Sequence, residues 1–309
     1  MTDQTTPAPV LRAETLTKQF GAITALDNVS CAIEGQSIFG LIGSNGAGKS
    51  TFLRIAAGVY QPSAGRMLYR DRVIYDDPEI KEAILFVADQ PYFPFDTLNK
   101  MANLYRSLYR AWNPDLYEEL LRIFPLNADD RLDRMSKGMR RQAAVLLAIA
   151  AMPKLLLLDE AFDGLDPVMR QNLKRVLARQ VTDHEMTVII ASQNLRELED
   201  FCDHVGLLHE GGLLFVEELD ELRLSIVKAQ VAFPEPIDVE TLRAQGLNVL
   251  NHRVRGSVLE ILARNNEADL RRIVGQYHPL LVDVLPLSLE EVFIYELAQK
   301  SYVTSDLLA

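Results

Sequence analysis

Cysteine is scarce in this chain, and basic residues are outnumbered by acidic ones. Its 309 residues include only Cys31 and Cys202, and no C-x-x-C spacing occurs. Both cysteines lie in apolar surroundings, so we interpret them as reduced core thiols of a cytosolic protein. Lys and Arg number 32 against 43 Asp and Glu, which gives a formal net charge of −11. This balance argues against a dedicated DNA or RNA binder, because such proteins need a basic surface.

Long apolar runs are also missing. The run Leu155–Leu158 has only the length of a strand, and no stretch is long enough to cross a bilayer. Met1–Pro7 lacks the basic start and apolar core of a signal peptide. We therefore expect a cytoplasmic protein that reaches any membrane through another chain. A hydrophobic share of 48% excludes wholesale disorder, and the length predicts one large or two unequal domains.

A glycine-rich loop is the most informative segment that is present. It fits the pattern G-x-x-x-x-G-K-[ST] that cradles nucleotide phosphates, and its residues are Gly43, Ser44, Asn45, Gly46, Ala47, Gly48, Lys49, Ser50 and Thr51. The apolar segment Ser37–Ile42 predicts a strand before it, and Thr51–Ala57 predicts a helix that stops at Gly58. Lys49 would reach the β- and γ-phosphates, and the Ser50 hydroxyl would bind Mg²⁺. The loop predicts binding of ATP or GTP.

A second motif ends another apolar strand. Residues Lys154–Glu160 run through four leucines into two carboxylates, which is typical of a central parallel strand. Ligands of open α/β sheets lie at the carboxyl ends of strands. Asp159 would therefore lie beside the phosphate loop and hold Mg²⁺, while Glu160 could accept a proton from the attacking water. Together the two motifs predict hydrolysis of a nucleoside triphosphate.

A third motif, Met135–Met139, precedes the apolar helical segment Ala143–Ala151. Ser136 is placed to cap that helix, whose free N–H groups form a second anion-binding end. The motif resembles the L-S-G-G-Q signature of ABC transporter ATP-binding subunits, in the L-S-K-G-M form of a bacterial branch, with Met in place of Leu. The resemblance implies that two chains sandwich two ATP molecules head to tail. The residues that would bind the partner's ATP are Ser136, Lys137, Gly138 and Met139.

The resemblance extends to three further elements. It implies that Phe20 stacks on adenine, although a core phenylalanine at a strand end is the alternative. Phe86–Tyr92 resembles the Q-loop, in which either Asp89 or Gln90 would offer an oxygen to the metal. Asp166 lies in a segment similar to the D-loop, which meets the partner subunit.

One departure from the family concerns the switch position. Val188–Leu198 resembles the switch strand and loop, but Gln193 stands where the family has histidine. Glutamine can position a water, as it does in GTPases, yet it cannot carry a positive charge or relay a proton. We therefore expect ATP binding to be intact and hydrolysis to be slow.

The loop Gln90–Phe95 combines two prolines with three aromatic residues. The prolines bar a regular element, and the aromatic side chains need a surface to cover them. This loop either lines the groove that receives a cytoplasmic helix of a membrane partner or packs locally.

The predicted fold is α/β, a P-loop NTPase of the ABC ATPase type with an inserted helical subdomain, followed by a small α+β domain. We place the ATPase domain at 10–218, its helical subdomain at about 97–152 and the accessory domain at 219–309. Within the accessory domain the predicted order is helix (219–228), strand (230–233), helix (237–245), hairpin (247–265), helix (268–276), strand (280–285) and helix (289–299).

The sequence thus predicts the ATP-binding and ATP-hydrolysing subunit of a bacterial ABC transporter, with ATP and Mg²⁺ as cofactors. Leu287–Phe293 resembles the tail of ATPases paired with ABC-2-type permeases, which implies an exporter. The implied partners are a second ATPase subunit, with a homodimer favoured over a heterodimer, and an integral membrane permease. Through the permease the protein would be peripheral on the inner face of the cell membrane, and no nucleic acid is expected. Two alternatives are a nucleotide-gated signalling ATPase with little turnover and a soluble ABC ATPase without a transport role.

Overall fold

The computed structural model describes residues 9–293. The chain separates into two compact units, Met1–Val216 and Glu217–Ala309. The predicted final helix lies partly outside the described residues, because 289–293 are helical and 294–299 are not described. The N-terminal segment Met1–Pro7 lies outside them too.

The first unit is a layered α/β structure. Its strands are β1 (Pro9–Phe20), β2 (Ile23–Glu34), β3 (Ile38–Ile42), β4 (Ala64–Tyr69), β5 (Arg72–Val73), β6 (Ile84–Val87), β7 (Leu155–Asp159), β8 (Thr187–Ser192), β9 (His204–His209) and β10 (Gly212–Glu218). Its α-helices are α1 (Lys49–Ala56), α2 (Pro78–Ala83), α3 (Leu98–Leu108), α4 (Pro114–Ile123), α5 (Lys137–Ala150), α6 (Pro167–His184) and α7 (Leu195–Leu198), with a 3₁₀ turn at Leu132–Arg134.

The central sheet has the strand order β10-β9-β3-β8-β7-β6. Strand β3 pairs in parallel with β8 and β9, and β7 pairs in parallel with β6 and β8. Every residue of β3, β7 and β8 is buried, as expected for parallel strands covered on both faces. Because β3 and β7 both flank β8 and run the same way, their carboxyl ends meet at one edge of the sheet.

A smaller antiparallel sheet, of order β2-β1-β4-β5, covers the same core. Apolar side chains of β1 and β2 pack with Phe52 and Leu53 of α1 and with Leu155 and Leu157 of β7 in one cluster. Helix α1 is therefore anchored by its apolar face. The expected helix end is confirmed, since α1 stops at Ala56 and Gly58 follows with a φ of 66°.

Helices α3 to α5 fill the region predicted to be helical between the nucleotide motifs. The rings of Tyr105, Tyr109, Trp112 and Tyr117 contact one another with centroid distances of 5.4 to 6.3 Å, so the aromatic residues are packing groups. Leu108 of the same region is 59% exposed. It is the last residue of α3, where the helix gives way to an exposed turn.

The second unit contains α8 (Leu219–Ser225), β11 (Val227–Ala232), α9 (Val239–Ala244), β12 (Val249–Arg255), β13 (Val258–Ala263), α10 (Glu267–Gly275) and β14 (Leu281–Leu285). From β11 onward the order is βαββαβ, and the antiparallel sheet has the order β12-β13-β11-β14. This is the ferredoxin-like arrangement. Residues 256–257 turn the predicted hairpin.

The first helix of this unit is shorter than predicted. It ends at Ser225, and Val227 and Lys228 belong to β11, where they pair with Ala263 and Leu262. The β-branched Ile226 and Val227 suit a strand, and both are buried. Sheet pairing therefore replaces the last turn of the expected helix.

Candidate functional site

The glycine-rich loop joins β3 to α1 and leaves the start of the helix open. Gly48 precedes α1 with a φ of 106°, and no side chain caps the helix there. A Cβ at Gly48 would lie 2.5 Å from the carbonyl oxygen of Ala25, so only glycine fits. The N–H groups at this helix start are free to bind an anion, which the helix dipole also favours.

Lys49 is folded into the loop that it follows. Its side chain is 6% exposed, and its Nζ donates to the carbonyl oxygens of Gly43 at 2.7 Å and Ser44 at 3.2 Å. The same nitrogen lies 3.6 Å from Oε1 of Glu160. A buried ammonium with one carboxylate neighbour and two replaceable carbonyl partners is well suited to take up an anionic phosphate.

Ser50 and Asp159 meet where β3 and β7 end. The Ser50 hydroxyl donates to Oδ1 of Asp159 at 3.1 Å, while Oδ2 is buried without a hydrogen-bond partner among residues 9–293. Burial raises the pKa of Asp159 above its ordinary value, although the bond from Ser50 opposes this. A buried carboxylate with a free oxygen beside a hydroxyl fits Mg²⁺, which binds oxygen ligands and would neutralise the carboxylate.

Glu160 adopts an unusual backbone conformation. Its φ is 50°, in the left-handed region that non-glycine residues seldom occupy, and its N–H donates to the carbonyl of Ala191 at 2.9 Å. Such strain is often retained at functional sites. Burial raises the pKa of the Glu160 carboxyl above its ordinary value, and the charge of Lys49 partly opposes the shift. A raised pKa makes this carboxylate a better proton acceptor.

Gln193 approaches Glu160 through its backbone. Its N–H donates to Oε2 of Glu160 at 3.4 Å, and its own side chain is exposed. Ser192, one residue earlier, is buried and accepts a bond from the N–H of Asn194 at 3.0 Å. Residues 192–194 therefore form a hydrogen-bonded turn that leaves the Gln193 side chain exposed.

Phe20 lies at the end of β1 with 43% of its surface exposed. The ring of Tyr60 meets it edge to face at a centroid distance of 5.5 Å. The Nζ of Lys18 lies 4.9 Å from the Phe20 centroid and donates to the carbonyl of Gln61 at 2.8 Å. Sequence reasoning missed Tyr60, whose only signal was an aromatic residue just after a helix end.

The signature segment opens α5 as predicted. The Ser136 hydroxyl accepts from the N–H of Met139 at 3.2 Å, which confirms the N-cap, and Ser136 and Lys137 are exposed. Lys137 pairs with Asp163 at 2.7 Å. Asp166 caps α6 by accepting from the N–H groups of Val168 and Met169. Because the structure describes one chain, the contacts of Ser136 and Asp166 with a partner stay predictions.

The two candidates for the Q-loop ligand differ in their surroundings. The carboxylate of Asp89 forms an ion pair with Arg141, whereas the Gln90 side chain is exposed. Sequence reasoning did not single out Arg141. The available signal was a charged residue within the first two turns of a helix whose other residues are largely apolar.

The sequence is similar to those of known ABC transporter proteins. Residues 26–163 match the family described as ABC transporter. The chain is 29% identical over 286 residues to the ABC transporter ATP-binding protein YtrB of Bacillus subtilis, covering 92% of this chain and 97% of that one. It is 32% identical over 256 residues to the Fe(3+) ions import ATP-binding protein FbpC 2 of Rhodococcus jostii, covering 80% of this chain and 70% of that one.

Solved structures show the same fold. An ATP-binding subunit of an ABC transporter superposes with a TM-score of 0.63 at 26% identity, over 69% of this chain and 92% of that one. A dimeric ATP-binding cassette in a post-hydrolysis state with ADP and Pi superposes with a TM-score of 0.61 at 24% identity, over 68% of this chain and 98% of that one, which supports the fold alone.

The fold and the site define a nucleotide-hydrolysing cassette. The chain belongs to the ABC transporter family, as an ATP-binding subunit, and it is an ABC-type ATP hydrolase. The predicted α/β fold class is thereby confirmed. Within the described residues, no helix combines the length and the apolarity that crossing a bilayer requires.

Proposed function

We propose that this subunit energises an ABC-2-type exporter, with two copies closing head to tail over two ATP molecules. The observation that carries its ATPase part is the convergence of Lys49, Ser50, Asp159 and Glu160, and its exporter part rests on the resemblance of Leu287–Phe293 to ATPases of ABC-2-type permeases. This set offers a cation for the phosphates, two oxygen ligands for a metal and a proton acceptor beside the cation. It meets the needs of hydrolysis as well as those of binding.

Each residue of the site would have its own role in ATP binding and hydrolysis. The N–H groups at the start of α1 would bind the phosphates, and Lys49 would exchange the carbonyls of Gly43 and Ser44 for phosphate oxygens. Mg²⁺, held by Ser50 and Asp159, would neutralise charge on the phosphates. Glu160 would orient the attacking water and hold its proton on a carboxylate oxygen, while Gln193 would place that water through its side-chain amide.

The second subunit would complete the site. Ser136 and Lys137 are exposed at the start of α5, where the N–H groups of a helix can bind an anion from outside. We propose that this end binds the γ-phosphate of ATP held by the partner subunit. A homodimer is the simplest assembly, since one chain carries both the phosphate loop and the signature.

We further propose that a permease holds the protein at the inner face of the membrane through the aromatic loop Gln90–Phe95. Tyr92 is 84% exposed and Phe95 is 45% exposed. Large aromatic side chains left in water are favoured anchors for a partner. The loop directly follows Asp89, which pairs with Arg141 at the start of α5, so contact with the permease would act on this ion pair.

The test is co-purification with a co-expressed ABC-2-type permease. Replacing Tyr92 and Phe95 with alanine should abolish co-purification and permease-stimulated ATP hydrolysis, while hydrolysis by the isolated subunit persists. Leu108→Ala is the matched control, because Leu108 is an exposed apolar residue on α3. Unchanged co-purification of the double variant would refute the docking role of the loop.

Gln193 favours a second candidate, a signalling ATPase that closes on ATP with little turnover. Hydrolysis measured with and without permease-containing membranes separates the two. The exporter predicts stimulation by those membranes, whereas the signalling ATPase predicts low turnover in both conditions.

A further inference from the structure

A buried cation behind the proposed ATPase site has no role in the chemistry described so far. Arg141 lies near the start of α5 and is only 1% exposed. Burying a charge is costly unless the group is paired and hydrogen-bonded. Its partners therefore indicate what the burial stabilises.

The Arg141 guanidinium connects two loops that belong to different strands. Its Nη2 donates to the carbonyl oxygen of Asp89 at 2.6 Å and to the Asp89 carboxylate. Its Nη1 donates to the carbonyl oxygen of Asp163 at 2.5 Å and lies 3.4 Å from that residue's Oδ2. One side chain thus holds the loop after β6, the loop after β7 and the signature helix together.

Neighbouring contacts reinforce the same junction. The Nη2 of Arg140 donates to the carbonyl of Pro91 at 3.3 Å, and its guanidinium lies 5.8 Å from the Phe93 ring centroid. A Cβ on Gly138 would lie 2.5 Å from the carbonyl oxygen of Gly164, so α5 approaches the second loop closely. The start of α5 therefore contacts both loops through several independent groups.

The ion pair between Asp89 and Arg141 also affects which residue can be a ligand of the metal. With a neutral glutamine at position 89, Arg141 would keep its carbonyl partners but only a longer contact to the Asp163 carboxylate. The buried charge of Arg141 is therefore compensated mainly by Asp89. Because Oδ1 of Asp89 pairs with Arg141, a metal bound by this carboxylate would compete with the ion pair. By contrast, Oδ2 of Asp159 has no hydrogen-bond partner in the described part of the chain.

We propose that Arg141 is a positioning residue that clamps the Asp89–Phe95 loop and the Glu160–Asp166 loop onto the signature helix, and that Asp89 anchors this clamp and is not a metal ligand. The inference rests on the proposed function, since the two loops carry the proposed permease contact and the proposed proton acceptor. Through the clamp, a displacement of either loop would be passed to the other and to Ser136.

The first experiment measures the equilibrium affinity of a fluorescent ATP analogue with and without Mg²⁺. The quantity compared is the factor by which Mg²⁺ lowers the Kd of the analogue. In Asp89→Asn this factor should stay within about twofold of the wild-type value. In Asp159→Asn it should fall by about tenfold or more, as expected when a metal ligand is removed. An equal loss in Asp89→Asn would make Asp89 a ligand and overturn the assignment. A wild-type affinity that ignores Mg²⁺ would instead contradict the proposed metal site.

The second experiment needs no nucleotide and tests the clamp by hydrogen exchange. Arg141→Met should raise amide exchange in both 89–95 and 160–166 by about tenfold, because each loop loses its tie to α5. Arg179→Met is the matched control, since Arg179 pairs with Glu119 elsewhere in the same unit. Unchanged exchange in the two loops, or a rise confined to α5, would overturn the clamp.

Two further variants guard against misfolding and against a purely structural role. If Arg141→Met does not fold, Asp89→Asn should still raise exchange in 89–95, and its failure to do so would count against the clamp. Arg141→Lys keeps the charge but loses the forked geometry. It should lower kcat by about tenfold with the Kd for ATP within about twofold. A parallel loss of both would indicate a general structural effect and reject the positioning role.

Discussion

The Glu160 carboxylate lies 3.6 Å from the Lys49 ammonium, so the residue that directly follows β7 meets the first residue of α1. One group would accept a proton and the other would hold phosphate, so the pair places both halves of the proposed chemistry in contact. Burial raises the pKa of Glu160 even though Lys49 opposes the shift. The net rise in this pKa should affect both ATP hydrolysis and stability as the pH changes.

The first prediction concerns pH. Glu160 must be ionised to accept a proton, so kcat should fall with decreasing pH at a value above the ordinary pKa of glutamate. Glu160→Gln should remove this limb and lower kcat by about 10²-fold or more while ATP still binds. A steady-state pH profile with parallel measurements of nucleotide affinity provides the check.

The same shift predicts the stability of the apoprotein. A carboxyl whose folded pKa is raised opposes folding when it is charged, and this penalty grows as pH rises from the unfolded value through the folded value. Glu160→Gln should therefore melt at an equal or higher temperature than wild type at neutral pH, with the difference fading in acid. A lower melting temperature at neutral pH would show that the contact with Lys49 outweighs burial.

The second prediction concerns the switch position. Gln193→His should raise kcat by up to about tenfold at saturating ATP, because an imidazole can carry charge and relay a proton where an amide cannot. Gln193→Ala should lower it. An unchanged or lower rate in the histidine variant would show that Gln193 does not limit turnover.

The third prediction concerns the base. Phe20→Ala should weaken ATP binding by about tenfold, as expected for loss of one stacking ring. Tyr60→Ala should weaken it less, since Tyr60 only supports Phe20 from the edge. Val73→Ala, at an exposed apolar position of β5, serves as the control. Equal affinity in all three variants would favour a packing role for Phe20.

Much of the ATPase unit could be predicted from the sequence because its signals are local. A buried strand, a glycine loop and a helix start follow one another within twenty residues. Lys154–Glu160 is recognisable from its four leucines followed by two acidic residues. The left-handed φ of Glu160 could not be predicted. It depends on a backbone bond to Ala191 from a strand distant in sequence.

The other features that were not predicted also depend on contacts between residues distant in sequence. The tie between Arg141 and Asp89 joins residues 52 positions apart, so neither residue alone indicates it. The end of α8 was misplaced because pairing of β11 with β13 decides it, while local propensity also allows another helical turn. In the second unit the order of elements was read correctly, but the sheet order that makes it ferredoxin-like comes from long-range pairing.

The central claim is that each ATP site is shared between two subunits, and a mixing experiment tests it most directly. Lys49→Ala disables the phosphate loop, and Ser136→Asp keeps the helix cap while placing a negative charge against the partner's phosphate. Each variant alone should be inactive. Their mixture should recover about a quarter of wild-type ATP hydrolysis, because random pairing makes half of the dimers mixed and each has one intact site. A mixture no more active than its components would contradict the shared site.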